Sequence, residues 1–364
     1  MSLPDHDPRK WVYEAHTRVK HVVLEKYLKA WVSILGSQDP RICYFDGFAG
    51  KGRYPSGEEG SPVIAMRVAE EICSLGRARE VVCVFIERDP ENCADLQRAV
   101  AEARQRYPSV RVLDPILGEF ADEISNILRQ VKARLAPSFF FIDPFGWSGV
   151  PFDLVKEIMN LRRTEVFFTF MVRDIARFLD YPPSHHTLTG LFGTDKWQQF
   201  ANLPFKQRSI ALLNLYINQL RVEASVKFAI PFRVCEDIAR RDLYYLIHAT
   251  NNFKGLRVMK SVMYKAGQTM PFAYLGLDER PGQLRLFSVD EENVRALQKE
   301  LPDRFAGRTL SFDQILEESW DLPYLEKHYR AALKELRKGI ITVTPVTSKT
   351  SRGLQGKDHV CFPL

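Results

Sequence analysis

The sequence predicts a doubly wound α/β fold, with five parallel strands plus an antiparallel pair, followed by a winged-helix-like C-terminal domain. Three observations lead to this prediction. Short apolar runs alternate with segments of helical periodicity over residues 41–170. Two later apolar runs are joined by a link that is too short for a parallel crossover. Beyond about residue 300, two helical segments precede two short strand-like runs that flank a basic loop.

The predicted parallel strands are short, apolar and rich in aromatic or β-branched residues, as is typical of central strands covered on both faces. They span residues 41–45, 81–86, 110–113, 138–142 and 165–170. The segments between them predict helices over 62–75, 90–106, 119–134 and 151–161. Residues 226–235 and 242–250 form the antiparallel pair. This order is the one expected of class I methyltransferases, whereas an ordinary dinucleotide-binding domain continues with parallel units.

The length of 364 residues exceeds that of one ordinary domain and favours two. Residues 16–35 carry an apolar stripe at helical spacing, which predicts an extra helix packed on the sheet. We therefore expect an N-terminal helical extension over 1–40, a methyltransferase-like domain over 41–270 and a winged-helix-like domain over 271–364.

The composition is that of a globular protein, with 26% charged and 45% hydrophobic residues. No apolar run approaches the roughly 20 residues of a membrane span, and the N-terminus is polar, so we expect a cytoplasmic protein without a membrane partner. The six cysteines form no Cys-x-x-Cys pair, and the adjacent His185 and His186 have no acidic or cysteine companion nearby. The sequence therefore predicts no metal site.

The loop after the first predicted strand, in "YFDGFAGKGRY", is a candidate ligand site. Ligands of open α/β sheets bind at the carboxyl ends of strands, near the point where the strand order reverses. Asp46 supplies a carboxylate that suits a positively charged ammonium or sulfonium. The glycines Gly47, Gly50 and Gly52 allow positive φ angles and close approach of a ligand to the chain.

This loop differs from a dinucleotide-binding loop. Pro55 occupies the third glycine position of the Gly-x-Gly-x-x-Gly fingerprint after Gly50 and Gly52, and no P-loop motif is present. The following helix is expected to begin about ten residues later, with Ser61 as its N-cap. A helix N-terminus at that distance is poorly placed to hold a pyrophosphate.

The second strand ends in "FIERDPEN". Glu87 lies where an acidic residue can accept hydrogen bonds from both ribose hydroxyls of a nucleoside. Asp89 followed by Pro90 fits a helix N-cap and a first-turn proline, so Glu87 is the favoured ligand residue. In "ILGEF", Glu119 and Phe120 lie near the expected adenine position. A plain helix start explains them equally well, and the sequence leaves both interpretations open.

The fourth strand ends in "FFFIDPFGW", which is a candidate reaction centre. The carboxylate of Asp143 and the carbonyl of Pro144 can accept the hydrogens of an exocyclic amine and direct its lone pair at a methyl group. An aromatic ring such as that of Phe145 can stack on a flipped base. The rate would then come mostly from alignment for in-line displacement. An Asp-Pro turn into the next helix is the structural alternative.

Amine-directed nucleic-acid methyltransferases usually read Asp/Asn-Pro-Pro-Tyr/Phe at this place, whereas here Phe145 and Gly146 follow the proline. The aromatic ring can therefore project differently. An oxygen or small-molecule acceptor stays open, with Lys20 or His21 as polar contacts from the N-terminal helix. A solvated helix face is the favoured interpretation of those two residues.

Five segments together resemble the three-Cys-motif partner family, whose members are encoded beside a radical-SAM-like companion. They are "KHVVLEKYLKAW", "YFDGFAGKGRY", "GSPVIA", "FIERDP" and "FFIDPFGW", in this order. The family is grouped by fold with class I methyltransferases. The resemblance therefore implies a companion protein, a reaction centre at Asp143 to Trp147, and S-adenosylmethionine near Asp46, Gly47, Phe48, Gly50, Gly52 and Glu87.

The C-terminal region suggests a nucleic-acid partner. Between 327 and 357 the basic residues are Lys327, Arg330, Lys334, Arg337, Lys338, Lys349, Arg352 and Lys357, and Glu335 is the one acid. Such a cluster can neutralise the phosphates of DNA or RNA, although winged helices also bind proteins. Two functions follow. One is an S-adenosylmethionine-dependent methyltransferase acting on an exocyclic amine of a nucleic-acid base. The other is a non-catalytic binding or regulatory protein that works with the companion.

Overall fold

The computed structural model describes residues 13–131, 134–235, 242–267, 273–274, 289–346 and 354–364. In these ranges a mostly parallel sheet forms the centre of the molecule. Its strands are β1 (Ile42–Asp46), β2 (Val81–Glu87), β3 (Arg111–Val112), β4 (Ile116–Leu117), β5 (Ser138–Ile142), β6 (Thr164–Phe170), β7 (Phe228–Cys235), β8 (Asp242–Thr250) and β9 (Ala273–Tyr274).

The strands lie in the order β3-β2-β1-β5-β6-β8-β7-β9, and β4 pairs with the end of β2. Strand β8 is antiparallel to both of its neighbours, while every other pair in this sheet is parallel. The five predicted parallel strands are therefore present, and the later pair is antiparallel as expected. The sequence did not indicate β4 as a separate strand.

Helices cover both faces of the sheet. They are α1 (Ala15–Gly36), α2 (Ser61–Ser74), α3 (Pro90–Arg106), α4 (Phe120–Val131), α5 (Phe152–Met159), α6 (Val172–Phe178), α7 (His185–Phe192), α8 (Phe205–Val222) and α9 (Phe253–Ala266). Side chains alternate between the two layers along each strand, so Phe139 and Phe141 pack with α1, whereas Phe140 and Ile142 pack with α5. Burial on both faces is why the strands read as continuous apolar runs.

Two helix starts illustrate the local chemistry. Asp89 caps α3, accepting a hydrogen bond from the Asn92 amide at 2.9 Å, as predicted. The prediction that Ser61 caps α2 is wrong. Gly60 is the N-cap, because Ser61 is already helical and its hydroxyl hydrogen-bonds to Asp46.

The C-terminal region has its own sheet and core. Its elements are α10 (Val289–Arg304), β10 (Thr309–Ser311), α11 (Phe312–Glu318), α12 (Glu326–Leu336), β11 (Thr342–Thr344) and β12 (His359–Cys361). Strand β12 lies between β10 and β11 and is antiparallel to both. Ser311 and Gln314 form a capping box at the start of α11. The predicted basic-loop residues Lys349 and Arg352 lie outside the described residues. None of the described helices has the length and apolar character needed to cross a membrane.

Candidate functional site

Three acidic residues lie along one edge of the parallel sheet. In the strand register Asp46 lies opposite Phe85 of β2 and Phe141 of β5. Two residues further along those strands are Glu87 and Asp143. Because β1, β2 and β5 run in the same direction, their carboxyl ends bring the three predicted acidic residues together.

Asp46 is fully buried and accepts hydrogen bonds from the Tyr44 hydroxyl (3.3 Å), the Phe48 amide (3.4 Å) and the Ser61 hydroxyl. Burial raises the pKa of Asp46 to about 7, with a further contribution from the charge of Asp143, against the opposing effect of the hydrogen bonds. A cation bound beside Asp46 would favour its ionised form.

The glycine loop is shaped by packing as well as by backbone conformation. Gly50 and Gly52 have φ angles of 62° and 77°, in the left-handed region as predicted. Gly47 does not, so that part of the prediction is wrong. Gly47 is instead required by packing, because a Cβ at this position would be 2.3 Å from the ring of Phe120.

Glu87 fastens this loop to β2. Its side chain is buried, Oε2 accepts the Gly50 amide at 2.7 Å, and Oε1 accepts the Asp89 amide at 2.9 Å. Burial raises the pKa of Glu87, and the two amide donors oppose that effect. Each carboxylate oxygen keeps a second acceptor position, which suits a pair of ribose hydroxyls.

A narrow cleft lies beside Glu87. Its volume is about 10 Å³, close to that of one water-sized probe. The lining includes Gly47, Phe48, Glu87, Gly118, Glu119, Phe120 and Phe145. The rings of Phe48 and Phe120 lie 5.3 Å apart at its wall. A nucleoside would therefore enter only after movement of these side chains.

Glu119 and Phe120 also form a helix start. Phe120 is the first residue of α4 and is buried, whereas Glu119 is exposed and lies 3.7 Å from Arg88. The structural interpretation of these residues is thus confirmed, and their role at adenine stays a prediction.

Lys20 of α1 forms an ion pair with Oδ2 of Asp143. Its ammonium is also 5.8 Å from the ring centre of Tyr244. The expectation that Lys20 lies on a solvated face is wrong, because pairing with Asp143 permits the burial of its charge. Asp143, the acidic residue of the predicted reaction centre, is therefore paired with a residue from outside the sheet.

His21 is buried as well, and the solvated-face interpretation fails for it too. Its ring lies 5.7 Å from Tyr13 and 5.9 Å from Tyr54. Burial and the neighbouring charge of Lys20 lower the pKa of His21 to about 3, so the imidazole is neutral at physiological pH. Its Nδ1 atom is buried and has no hydrogen-bond partner among the described residues.

The two aromatic residues after Asp143, Phe145 and Trp147, lie in different environments. Phe145 is 50% exposed and lines the cleft, whereas Trp147 is buried with its ring 6.3 Å from that of Phe178. Gly146 between them has a φ of 91°, which reverses the chain direction locally. Pro144 is buried. Of the two rings, Phe145 is the one exposed at the surface.

A family model described as "GMT-like wHTH domain" matches residues 277–348. The order of α10, β10, α11, α12, β11 and β12 agrees with that description. The C-terminal region is a winged helix-turn-helix domain. No curated protein matches the chain. The resemblance to the three-Cys-motif partner family stays a resemblance, and the winged helix is the part of the expectation that the match supports.

The winged helix is less basic than its sequence suggests. Several of its cations are neutralised within the chain, in the pairs Lys327–Asp290, Arg330–Glu326 and Lys338–Glu335. Two of these acids, Asp290 and Glu326, precede the basic segment 327–357 in the sequence. Lys334 and Arg337 are exposed and form no ion pair within the described part of the chain. The described residues contain no cluster of three or more potential metal-binding side chains.

Proposed function

We propose that this chain is an S-adenosylmethionine-dependent methyltransferase that acts on an exocyclic amine of a nucleic-acid base. The observation that carries the proposal is the position of Asp46, Glu87 and Asp143 at the carboxyl ends of the neighbouring strands β1, β2 and β5. The antiparallel position of β8 between β6 and β7 supports it, since this is the strand order expected of class I methyltransferases. The winged helix supports a nucleic-acid substrate.

The residues fit this cofactor in chemical type. Glu87 keeps acceptor positions for two ribose hydroxyls, and Asp46 is a buried carboxyl group whose ionised form a cationic ligand would stabilise. We assign a set of residues around the glycine loop and the cleft to cofactor contact: Asp46, Gly47, Phe48, Gly50, Gly52 and Glu87, with Glu119 and Phe120 at the adenine. When bound, S-adenosylmethionine supplies an activated methyl group.

At the reaction centre Asp143 and the carbonyl of Pro144 accept the hydrogens of the amine, so the nitrogen lone pair is freed from conjugation with the base. Phe145, which is exposed on the cleft, stacks on the base. Lys20 holds the carboxylate of Asp143 in place from the side of α1. No residue of unusual basicity is needed.

Calorimetric titration tests the cofactor assignment, with S-adenosylmethionine and NAD as separate ligands. We expect S-adenosylmethionine to bind and NAD not to bind. The Glu87→Ala variant should bind the cofactor more weakly. Because Glu87 also holds Gly50, Glu87→Gln serves as a second variant that retains the shape of the side chain. Binding of NAD in preference to S-adenosylmethionine would contradict the assignment.

The reaction centre is tested by transfer of labelled methyl groups to DNA and RNA. Asp143→Ala should abolish transfer while cofactor binding persists. Glu102→Ala removes an exposed carboxylate of α3 and serves as the control outside the centre. Undiminished turnover of Asp143→Ala would refute the proposed centre.

The closed cleft favours a second candidate, a non-catalytic binding or regulatory protein that keeps a methyltransferase-like fold. The cleft has a volume of about 10 Å³, and the rings of Phe48 and Phe120 pack against each other at its wall. A protein that no longer binds a nucleoside would be expected to have such a closed cleft. Its partner would be the radical-SAM-like companion that the family resemblance implies. Substitutions at Asp46 and Glu87 would then alter folding or partner binding. Methyl transfer by the purified chain would exclude this candidate.

A further inference from the structure

The turn of the helix-turn-helix is anchored on the α/β region by α9. Lys260 of α9 is buried, and its ammonium donates hydrogen bonds to the main-chain oxygens of Trp320 (3.0 Å) and Leu322 (2.6 Å). These residues lie between α11 and α12. The ring of Trp320 is 5.8 Å from that of Phe228 in β7 and 5.3 Å from the guanidinium of Arg221. The turn is therefore held by both polar and aromatic contacts.

The first turn of α12 belongs to the same junction. Glu326 forms an ion pair with Arg257 of α9, and Lys327 forms one with Asp290 of α10. The ammonium of Lys327 also lies 5.3 Å from the ring centre of Tyr264, whose hydroxyl donates to Asp290 at 2.5 Å. The charges at the start of α12 are thus neutralised within the chain.

This arrangement restricts how the winged helix can meet a nucleic acid. In helix-turn-helix proteins the N-terminal residues of the second helix contact base edges in the major groove. Here α12 is that second helix, and its N-terminal residues Glu326 and Lys327 pack against α9 and α10. Insertion of this end into a groove would require the junction to open.

The other end of α12 has the opposite character. Lys334 lies in the last turn of α12, and Arg337 and Lys338 directly follow its last residue, Leu336; all three are exposed. Lys338 pairs with Glu335, whereas Lys334 and Arg337 form no ion pair within the described residues. Cations at a helix C-terminus also stabilise the helix dipole, so their presence alone would carry no conclusion. The contrast between the neutralised start and the unpaired end is what indicates a binding surface.

We infer that the chain binds the phosphate backbone of a nucleic acid with the exposed C-terminal end of α12 and its C-cap, through Lys334 and Arg337, while the start of the helix stays docked on α9. Binding of this kind is electrostatic and tolerant of sequence. The inference rests on the nucleic-acid partner of the proposed function and not on methyl transfer, and it changes which end of the winged helix faces the ligand.

Fluorescence anisotropy of the full chain with a labelled mixed-sequence DNA duplex, and with an RNA duplex of the same sequence, tests this surface. Affinity is measured over a series of salt concentrations without cofactor. The double variant Lys334→Gln/Arg337→Gln should bind more weakly, and the slope of log affinity against log salt should fall by about 2, because each phosphate contact contributes about 0.9. Lys327→Gln removes the same kind of charge from the docked end of the same helix and should leave the slope unchanged.

The outcomes separate clearly. Equal loss of binding in Lys327→Gln would overturn the inference, because the docked end would then be the contact surface. An unchanged slope in the double variant would overturn it, as would failure of the wild type to bind either duplex. Binding of one duplex type supports it and identifies the nucleic acid. This assay contains no cofactor, so its result does not depend on methyl transfer. Duplex binding here, together with no transfer in the separate assay with labelled methyl groups, would overturn the proposed enzyme and leave this surface standing.

Discussion

Replacement of Asp46 by asparagine should stabilise the protein above neutral pH. Asp46 is fully buried, and its pKa of about 7 in the folded chain lies roughly 3 units above the ordinary value of 3.8. The folded state therefore holds this proton more tightly than the unfolded state. The resulting stability is fully present below about pH 4 and is lost as the pH rises through 7. One pKa unit corresponds to about 1.4 kcal/mol, so the loss is at most about 4 kcal/mol.

Urea denaturation of the wild type and of Asp46→Asn at about pH 5 and pH 8 measures the effect. The free energy of unfolding of the variant relative to the wild type should increase by up to about 3 kcal/mol between these pH values. Asp114→Asn is the control, because the Asp114 side chain is 87% exposed. A variant whose relative stability is the same at both pH values would show that Asp46 titrates in its ordinary range. The interpretation that burial disfavours the ionised form of Asp46 until a cation binds beside it would then be wrong.

Two further predictions concern stability. Gly255→Ala should destabilise the protein by about 1–3 kcal/mol in thermal or urea denaturation, because its Cβ would lie 2.6 Å from Oε1 of buried Glu165. Gly190→Ala is the control, because Gly190 lies in a helix with open space around it, and this change should stabilise the protein by up to about 1 kcal/mol. Similar changes in stability for the two variants would show that the contact with Glu165 does not matter. Burial lowers the pKa of Lys260 from 10.5 to about 8, so wild-type stability should rise relative to Lys260→Met between these pH values. Lys254→Met, at an exposed position of the same helix, is the control. A stability difference between the wild type and Lys260→Met that stays constant from pH 8 to pH 10.5 would refute the assignment.

The sheet and its acidic edge could be predicted from the sequence because the signals are local. Aromatic and β-branched runs identify strands that are buried on both faces, and the rule for parallel sheets places Asp46, Glu87 and Asp143 at one edge. The pair β7 and β8 was predicted from its short link. The winged helix was predicted from its order of helices and strands, although α10 and β10 were not.

The errors have a common physical cause, which is that the partner of a side chain lies far away in the sequence. Gly47 is small because Phe120, more than 70 residues later, needs the space. The hydroxyl of Ser61 hydrogen-bonds to Asp46, and Gly60 is the N-cap of α2. Lys20 pairs with Asp143, 123 residues away.

One local signal for Lys20 was present in the sequence. Val23, Leu24 and Tyr27 follow Lys20 at spacings of three, four and seven residues, so Lys20 lies on the buried face of α1. A charge on an apolar helix face indicates a partner on the surface that the helix covers.

The contacts of α1 bear on the chemistry of the site. Lys20 pairs with Asp143 beyond β5, and the hydroxyl of Tyr27 donates to Glu165 on β6, whose Oε2 lies 2.9 Å from Nε2 of buried His248. Removal of one partner of a buried ion pair costs about 3–5 kcal/mol, so α1 stabilises the sheet through these polar contacts as well as through its apolar face. Because Lys20 occupies Oδ2 of Asp143, an amine acceptor must use Oδ1 or the remaining lone pair of Oδ2. The helix that precedes the sheet therefore restricts which acceptor positions of the proposed catalytic carboxylate are open to a substrate.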